Sequence, residues 1–222
     1  MRESYHDELN ANTDDIVSMA DLVRSAVERA TTSLINADLG LAEQVISADA
    51  RIDNLHDEIE QRSFNLLARQ APVAGELRTV VAVLRMCYEL SRMGDLAVHV
   101  AETARHRYPD HAVPEPVAAQ FTKMAKIADQ MILTASQTLV NRDAENAMEL
   151  ADKDTAIDDI RADQFRMLLS DTWPYGVEEA VDTALLGRYF ERIADHAVAI
   201  GSPGIYIVTG EAPEGEDWPK VF

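Results

Sequence analysis

The chain has 222 residues, with 39 acids against 20 bases and a formal charge of −19. That balance, with no basic stripe along the chain, disfavours DNA, RNA and anionic membranes; it suits cations or basic partner surfaces, and serves solubility in any case. Hydrophobic residues at 47% match a globular core, and the longest apolar run, Val80 to Leu84, is too short to span a bilayer.

From the N-terminus, Met1-Arg-Glu-Ser-Tyr-His-Asp-Glu has no apolar core of a signal peptide. The single cysteine, Cys87, excludes an internal disulfide, so a reducing, cytoplasmic location is expected. A first helix, capped by Thr13 or Asp14, carries Ile16, Met19, Val23, Ala26, Val27, Ala30 and Leu34 on one face. It ends at Asp38-Leu39-Gly40. A second helix spans about Leu41 to Ala68, with Val45, Ile52, Leu55, Ile59, Leu66 and Leu67 inward, and Pro72 and Gly75 break the chain after it. A third runs from about Glu76 to Arg107. Residues Tyr108 to Pro116 hold three prolines and form a linker.

The pattern then repeats. Residues 16 to 60 recur at an offset of 105, so that Met19, Ala20, Ala30, Leu34, Asn36, Asp38 and Ala42 meet Met124, Ala125, Ala135, Leu139, Asn141, Asp143 and Ala147. Asp49, Ile52 and Asp53 meet Asp154, Ile157 and Asp158; further on the offset falls to 100, and Arg92, Asp95, Ala97 and Val98 meet Arg192, Asp195, Ala197 and Val198. The second set of helices is expected from Phe121 to the Asn141-Arg142-Asp143 turn, from Ala144 to Leu169, and from Val177 to Ile200. Pro174 and Gly176 separate the last two, and Gly201, Pro203 and Gly204 stop the last. Ile205 to Val208 forms a short apolar run, followed by a loose tail. The expected fold is all-α: two tandem, pseudo-symmetric three-helix bundles at residues 1–108 and 117–201, a proline-rich linker at 109–116, and a tail at 202–222.

Outside the apolar positions the repeat is mostly acid. Asp49/Asp53, Asp154/Asp158 and Glu191/Asp195 each place two carboxylates one helical turn apart, and Asp95 follows Ser91 where the second half has Glu191. Like charges at this spacing repel by a few tenths of a kcal/mol unless a cation compensates. A hard metal ion with oxygen ligands would do so, and carboxylates also bind zinc. In a chain this acidic, single pairs also fit solvated helix faces, and Arg51, Arg92 and Arg192 are near enough in sequence to form salt bridges. Glu191 and Asp195 lie over 100° from the apolar centre of their helix, so a site there faces out of the bundle. His196 beside Asp195 reads as a further ligand, a pH-sensitive neighbour or a surface histidine. No glycine-rich phosphate loop occurs, no Ser/His/Asp or Cys/His set can be argued from spacing, and of the two core-facing Glu-x-x-His motifs of a di-metal centre the only match is Glu3-Ser-Tyr-His6, at the terminus.

Arg188-Tyr-Phe-Glu-Arg-Ile-Ala-Asp-His-Ala-Val-Ala-Ile200 resembles the Glu-Arg-Ile-Gly-Asp-His-Ala signature of the PhoU family. Ser91-Arg-Met-Gly-Asp-Leu-Ala-Val98 is similar to its sister copy. Gln70 to Arg78 is similar to the loop and helix start before it, and Tyr206 to Glu211 to the family's C-terminal end. The resemblance implies a cytoplasmic negative regulator of the phosphate-starvation response and modulator of phosphate uptake. Such a protein is a non-enzymatic adaptor between a phosphate ABC transporter, including its ATPase, and a sensor histidine kinase, and it often forms homodimers. It also implies metal ions (Fe, Zn, Mn or Mg) on two sites, Asp154/Asp158/Glu191/Asp195 and Asp49/Asp53/Asp95. Ser91 replaces the family's glutamate, so the first site is expected to bind more weakly. The alternatives are a carboxylate-bridged metalloenzyme and a metal-storage bundle.

Overall fold

The computed structural model describes residues 2–70, 72, 74–141 and 145–209. It is all-α among these residues: α1 (Arg2–Asn36), α2 (Leu39–Ala48), α3 (Ala50–Gln70), α4 (Gly75–Arg107), α5 (Glu115–Asn141), α6 (Glu145–Leu168) and α7 (Val177–Thr209). The first half is α1 to α4 and the second α5 to α7, so the expected three-helix units are present, with the second helix of the first half split in two.

That split is at Asp49. Asp38 caps α2 by accepting a hydrogen bond from the Leu41 amide at 2.9 Å. At the other end the Asp49 carbonyl accepts from both Ile52 and Asp53, a local tightening that separates α2 from α3. Its counterpart α6 is unbroken through Asp154.

Two helix ends differ from expectation. Neither Thr13 nor Asp14 starts α1, which begins at Arg2; the Thr13 hydroxyl donates back to the Leu9 carbonyl inside the helix. The added turns are held by Tyr5 and Leu9, which pack with Leu66 and Val80 in a small satellite cluster. At the other end, Gly201, Pro203 and Gly204 do not stop α7, whose backbone stays helical to Thr209. Ile200 is still fully in the core there, and tertiary packing overrides local propensity. Arg142 and Asp143 of the expected turn and the tail from 210 lie outside the described residues, as do the side chains of Ile205 to Val208.

The two three-helix units share a core, as the duplication leads one to expect. One continuous apolar core contains residues from α1, α2, α3 and α4 and from α5, α6 and α7. The helices α1, α4, α5 and α7 pack on one another, α2 and α3 cover α1 and α4, and α6 covers α5 and α7. Across the centre α4 and α7 run antiparallel: Glu89 meets His196, His99 stacks on Tyr189, and Arg107 pairs with Asp182. Where α1 meets α5, Arg24 binds Asp129 through two hydrogen bonds of 2.7 and 3.3 Å. These two residues are equivalent by the repeat, so they straddle a local pseudo-two-fold axis. No helix among the described residues is long and apolar enough to cross a membrane.

Candidate functional site

The break at Asp49 positions the first carboxylate. A Cβ added at Gly94 on α4 would sit 3.1 Å from the Asp49 carboxylate oxygen and 3.1 Å from Ile52 Cδ1, so the α2–α3 junction rests directly on the α4 backbone. Only a glycine leaves that approach unobstructed. Asp49 is half-buried. Burial first, then Asp53 and Asp95, push its carboxyl from 3.8 up to about 6, while His99 acts the other way. Asp95 is held by Arg92 at 2.5 Å.

The second half reproduces this environment. Asp154 is also raised from 3.8 to about 6, by burial and then by Asp158, Asp195 and Glu191. Asp158 is raised by burial, Glu191 and Asp195, against Arg161. Burial and Glu191 raise Asp195, against Arg188, His196 and Arg192. The four expected residues therefore lie within electrostatic reach of one another on α6 and α7. They do not converge into a preformed cage: among the described residues no group of three or more acidic, histidine or cysteine side chains is arranged to hold a metal ion.

Glu191 explains part of this. One of its oxygens accepts from Arg161 at 2.6 Å and the other from Arg188 at 2.5 Å, and its side chain is only 13% exposed. It faces away from the apolar centre, as its angle predicts, but the two arginines cover it. The repeat puts His56, Tyr88 and Ser91 at the positions of Arg161, Arg188 and Glu191. The extra carboxylate of the second half thus arrives with two cations.

Spacing makes one of these pairings legible in sequence and not the other. Arg188 and Glu191 are three apart on one helix, a legible pairing; Arg161 requires the α6–α7 register. Of the three arginines expected as salt-bridge partners, Arg92 pairs with Asp95, while Arg192 acts on Asp195 only at longer range and Arg51 has no ion pair among the described residues. The His196 ring nitrogen Nδ1 lies 2.6 Å from Glu89 across the two halves, so His196 is largely covered, while its charge still acts on Asp195. Cys87 is buried, and burial pushes its thiol up to about 12.

The PhoU domain family model matches residues 16–104 and, a second time, residues 121–202. The chain belongs to the PhoU family. The phosphate-specific transport system accessory protein PhoU homolog 1 of Mycobacterium leprae is 42% identical over 219 residues, 99% of each chain. The PhoU homolog of Aquifex aeolicus is 31% identical over 206 residues, 92% of each. Among solved structures, PhoU of Pseudomonas aeruginosa superimposes with a TM-score of 0.87 at 28% identity, covering 93% of this chain and 100% of that one. The regulatory protein PhoU of Streptococcus pneumoniae shares the fold, with a TM-score of 0.85 at 23% identity.

Proposed function

We propose that this protein is a cytoplasmic accessory protein of phosphate transport. In this reading it is a non-enzymatic adaptor that restrains a phosphate-sensing histidine kinase, with the ATPase of a phosphate ABC transporter as its second partner. The observation that carries this reading is end-to-end identity of 42% to a phosphate-specific transport system accessory protein. An adaptor shifts a two-state kinase only by preferring one of its states, which requires a surface rather than a catalytic centre. The test is a phosphate-starvation promoter reporter in cells lacking the chain, grown in abundant phosphate. A reporter switched on by the loss and silenced by restoring the chain supports negative regulation; one that stays off rejects it.

In the same reading Asp49, Asp53 and Asp95 hold one cation, and Asp154, Asp158, Asp195 and Glu191 hold another, chosen from Fe, Zn, Mn or Mg. The support is chemical: clustered oxygen donors, with the proton affinity of Asp49, Asp154, Asp158 and Asp195 raised, are what a hard cation relieves. To ligate, Glu191 must leave Arg161 and Arg188, so the expected ranking, tighter binding in the second half, depends on that release. Calorimetric titration with Mn²⁺ checks it. Asp195→Ala should lose more affinity than Asp95→Ala, and Arg188→Ala should tighten the second site; equal losses reject the ranking.

A further inference from the structure

An apolar patch is exposed on the α3–α4 hairpin. Leu77, Val81 and Tyr88 are all exposed on α4, and at roughly 100° per residue they lie within about 40° of one another. Phe64 joins them from α3. The Cys87 thiol reaches the His56 carbonyl at 3.7 Å, and Asp49 and Ile52 lie against Gly94, which fixes the antiparallel register of α3 and α4. Phe64 is two turns beyond His56, so it is level with Thr79 to Val81, on the outer edge of the α3 flank that faces α4. Arg62, on the opposite flank, binds Asp15 and Asn12 of α1. Phe64 and Tyr88 are 56% and 55% exposed, large areas for aromatic rings to leave in water. The second half repeats the patch with Leu169, Val177 and Val181, also exposed.

The first of these patches lies beside the end of α7. Glu89 against His196, His99 against Tyr189 and Arg107 against Asp182 set the antiparallel register of α4 and α7. That register puts Thr209, where α7 ends, level with Glu76 to Val80 at the start of α4. Residues 210–222, outside the described residues, continue from there. They hold four acids, one lysine and three large apolar residues, Trp218, Val221 and Phe222. An extended chain covers at most about 3.5 Å per residue, so Trp218 reaches about 30 Å from Thr209. Leu77 to Tyr88 spans about 16 Å of helix, well within that reach. Val181 lies about 42 Å back along α7, beyond it. Charge agrees with the nearer patch. Arg85 is exposed on the α7 side of the Leu77/Val81/Tyr88 line and has no ion pair among the described residues, and Glu216 and Asp217 directly precede Trp218. Glu60 acts on Cys87 from the α3 side, so the apolar groups carry more of the match than the charges do.

We propose that residues 210–222 turn back over the α3–α4 patch of their own chain and seat Trp218 among Phe64, Val81 and Tyr88. A short tether holds the segment at about millimolar effective concentration, so a contact of only millimolar strength keeps it in place. Duplication made two apolar patches, and the reach of the tail separates them: the α3–α4 copy is covered in cis and the α6–α7 copy stays open.

The test is fluorescence of the full chain. The sequence has two tryptophans, so Trp173→Phe leaves Trp218 as the single emitter. Its emission and its quenching by acrylamide are compared with those of a synthetic peptide of residues 210–222. Emission in the protein should be blue-shifted, and quenching about threefold weaker than in the peptide. Phe64→Ser/Val81→Ser in the same background should bring both readings to the peptide values, while Val181→Ser/Leu185→Ser should leave Trp218 protected. All four of these positions are exposed, so circular dichroism should show the same helix content in each variant. Peptide-like quenching in the Trp173→Phe protein overturns the proposal. Protection that survives Phe64→Ser/Val81→Ser overturns it too, as does equal loss in both double variants. Protection that disappears on dilution means that the segment covers a second copy of the chain, which also overturns docking in cis.

Discussion

Asp49 and Asp154 show what duplication conserved at the level of single groups. Both carboxyls hold protons up to about pH 6, against 3.8 for an unburied aspartate. As pH rises from 4 to 6 the unfolded chain gives up these protons before the folded one does. The folded state then binds more protons than the unfolded, and stability falls over that window. Asp154→Asn and Asp49→Asn should therefore raise the melting temperature of metal-free protein at pH 7.5 and lose that advantage near pH 4. Melts in the presence of a chelator check this, and an equal effect at both pH values contradicts it. The carboxylates themselves were legible because they recur at fixed offsets. The arginines on Glu191 were not, because one of them arrives from another helix, at a register that no spacing within α7 encodes.

Comparing elements explains why the two halves look alike and still pack differently. On α6 and α7, Gln164 lies against Gly187; the repeat places Ile59 and Cys87 at those positions. A large polar residue opposite glycine replaces an apolar pair, so volume is traded across the seam. The Gln164 amide oxygen is buried without a hydrogen-bond partner, although its nitrogen donates weakly to Met124 at 3.8 Å. Gln164→Met, similar in shape and apolar, should stabilise the protein by about 1 kcal/mol in denaturant unfolding, since an unsatisfied buried acceptor costs about 1–3 kcal/mol. A loss of stability would mean that the oxygen has a partner such as water. Helix periodicity revealed these helical segments, though not the division of the second into α2 and α3, because a buried stripe at 3.6-residue spacing is hard to imitate. Their ends were less legible. Gly201 to Gly204 reads as a stop only to a neighbour-blind eye, and the Asp49 break depends on how closely α4 approaches at Gly94.

The sharing of one core decides how the whole molecule holds together; the duplication points to halves that share or abut a core, but not to which helices join them. Apolar stripes such as Ile16, Met19, Val23 and Val27 read the same whether their own bundle or the other half covers them. The structure joins the halves through α1 with α5 and α4 with α7, and the polar pairs at that junction are complementary rather than repeated. Arg24 meets its own equivalent Asp129, Glu89 meets His196, and Arg107 meets Asp182. Two copies of the first half would instead set Arg24 against Arg24, and two copies of the second would set Asp129 against Asp129. Like charges held opposite one another disfavour the wrong pairing. Cutting the chain between Asp110 and His111 should therefore yield fragments that assemble one to one when mixed, while each alone lacks a cooperative melt because its half of the core is bare. Sedimentation and circular dichroism of the separate and mixed fragments check this. Arg24→Asp in the first fragment should weaken the mixed assembly, by about 1 kcal/mol for loss of the half-exposed pair and further through repulsion from Asp129. Asp129→Arg in the second should restore it, because the pseudo-two-fold axis makes the two positions interchangeable. A first fragment that melts cooperatively as a monomer would show that each half completes its own core, and the shared core would then be a contact between two finished bundles.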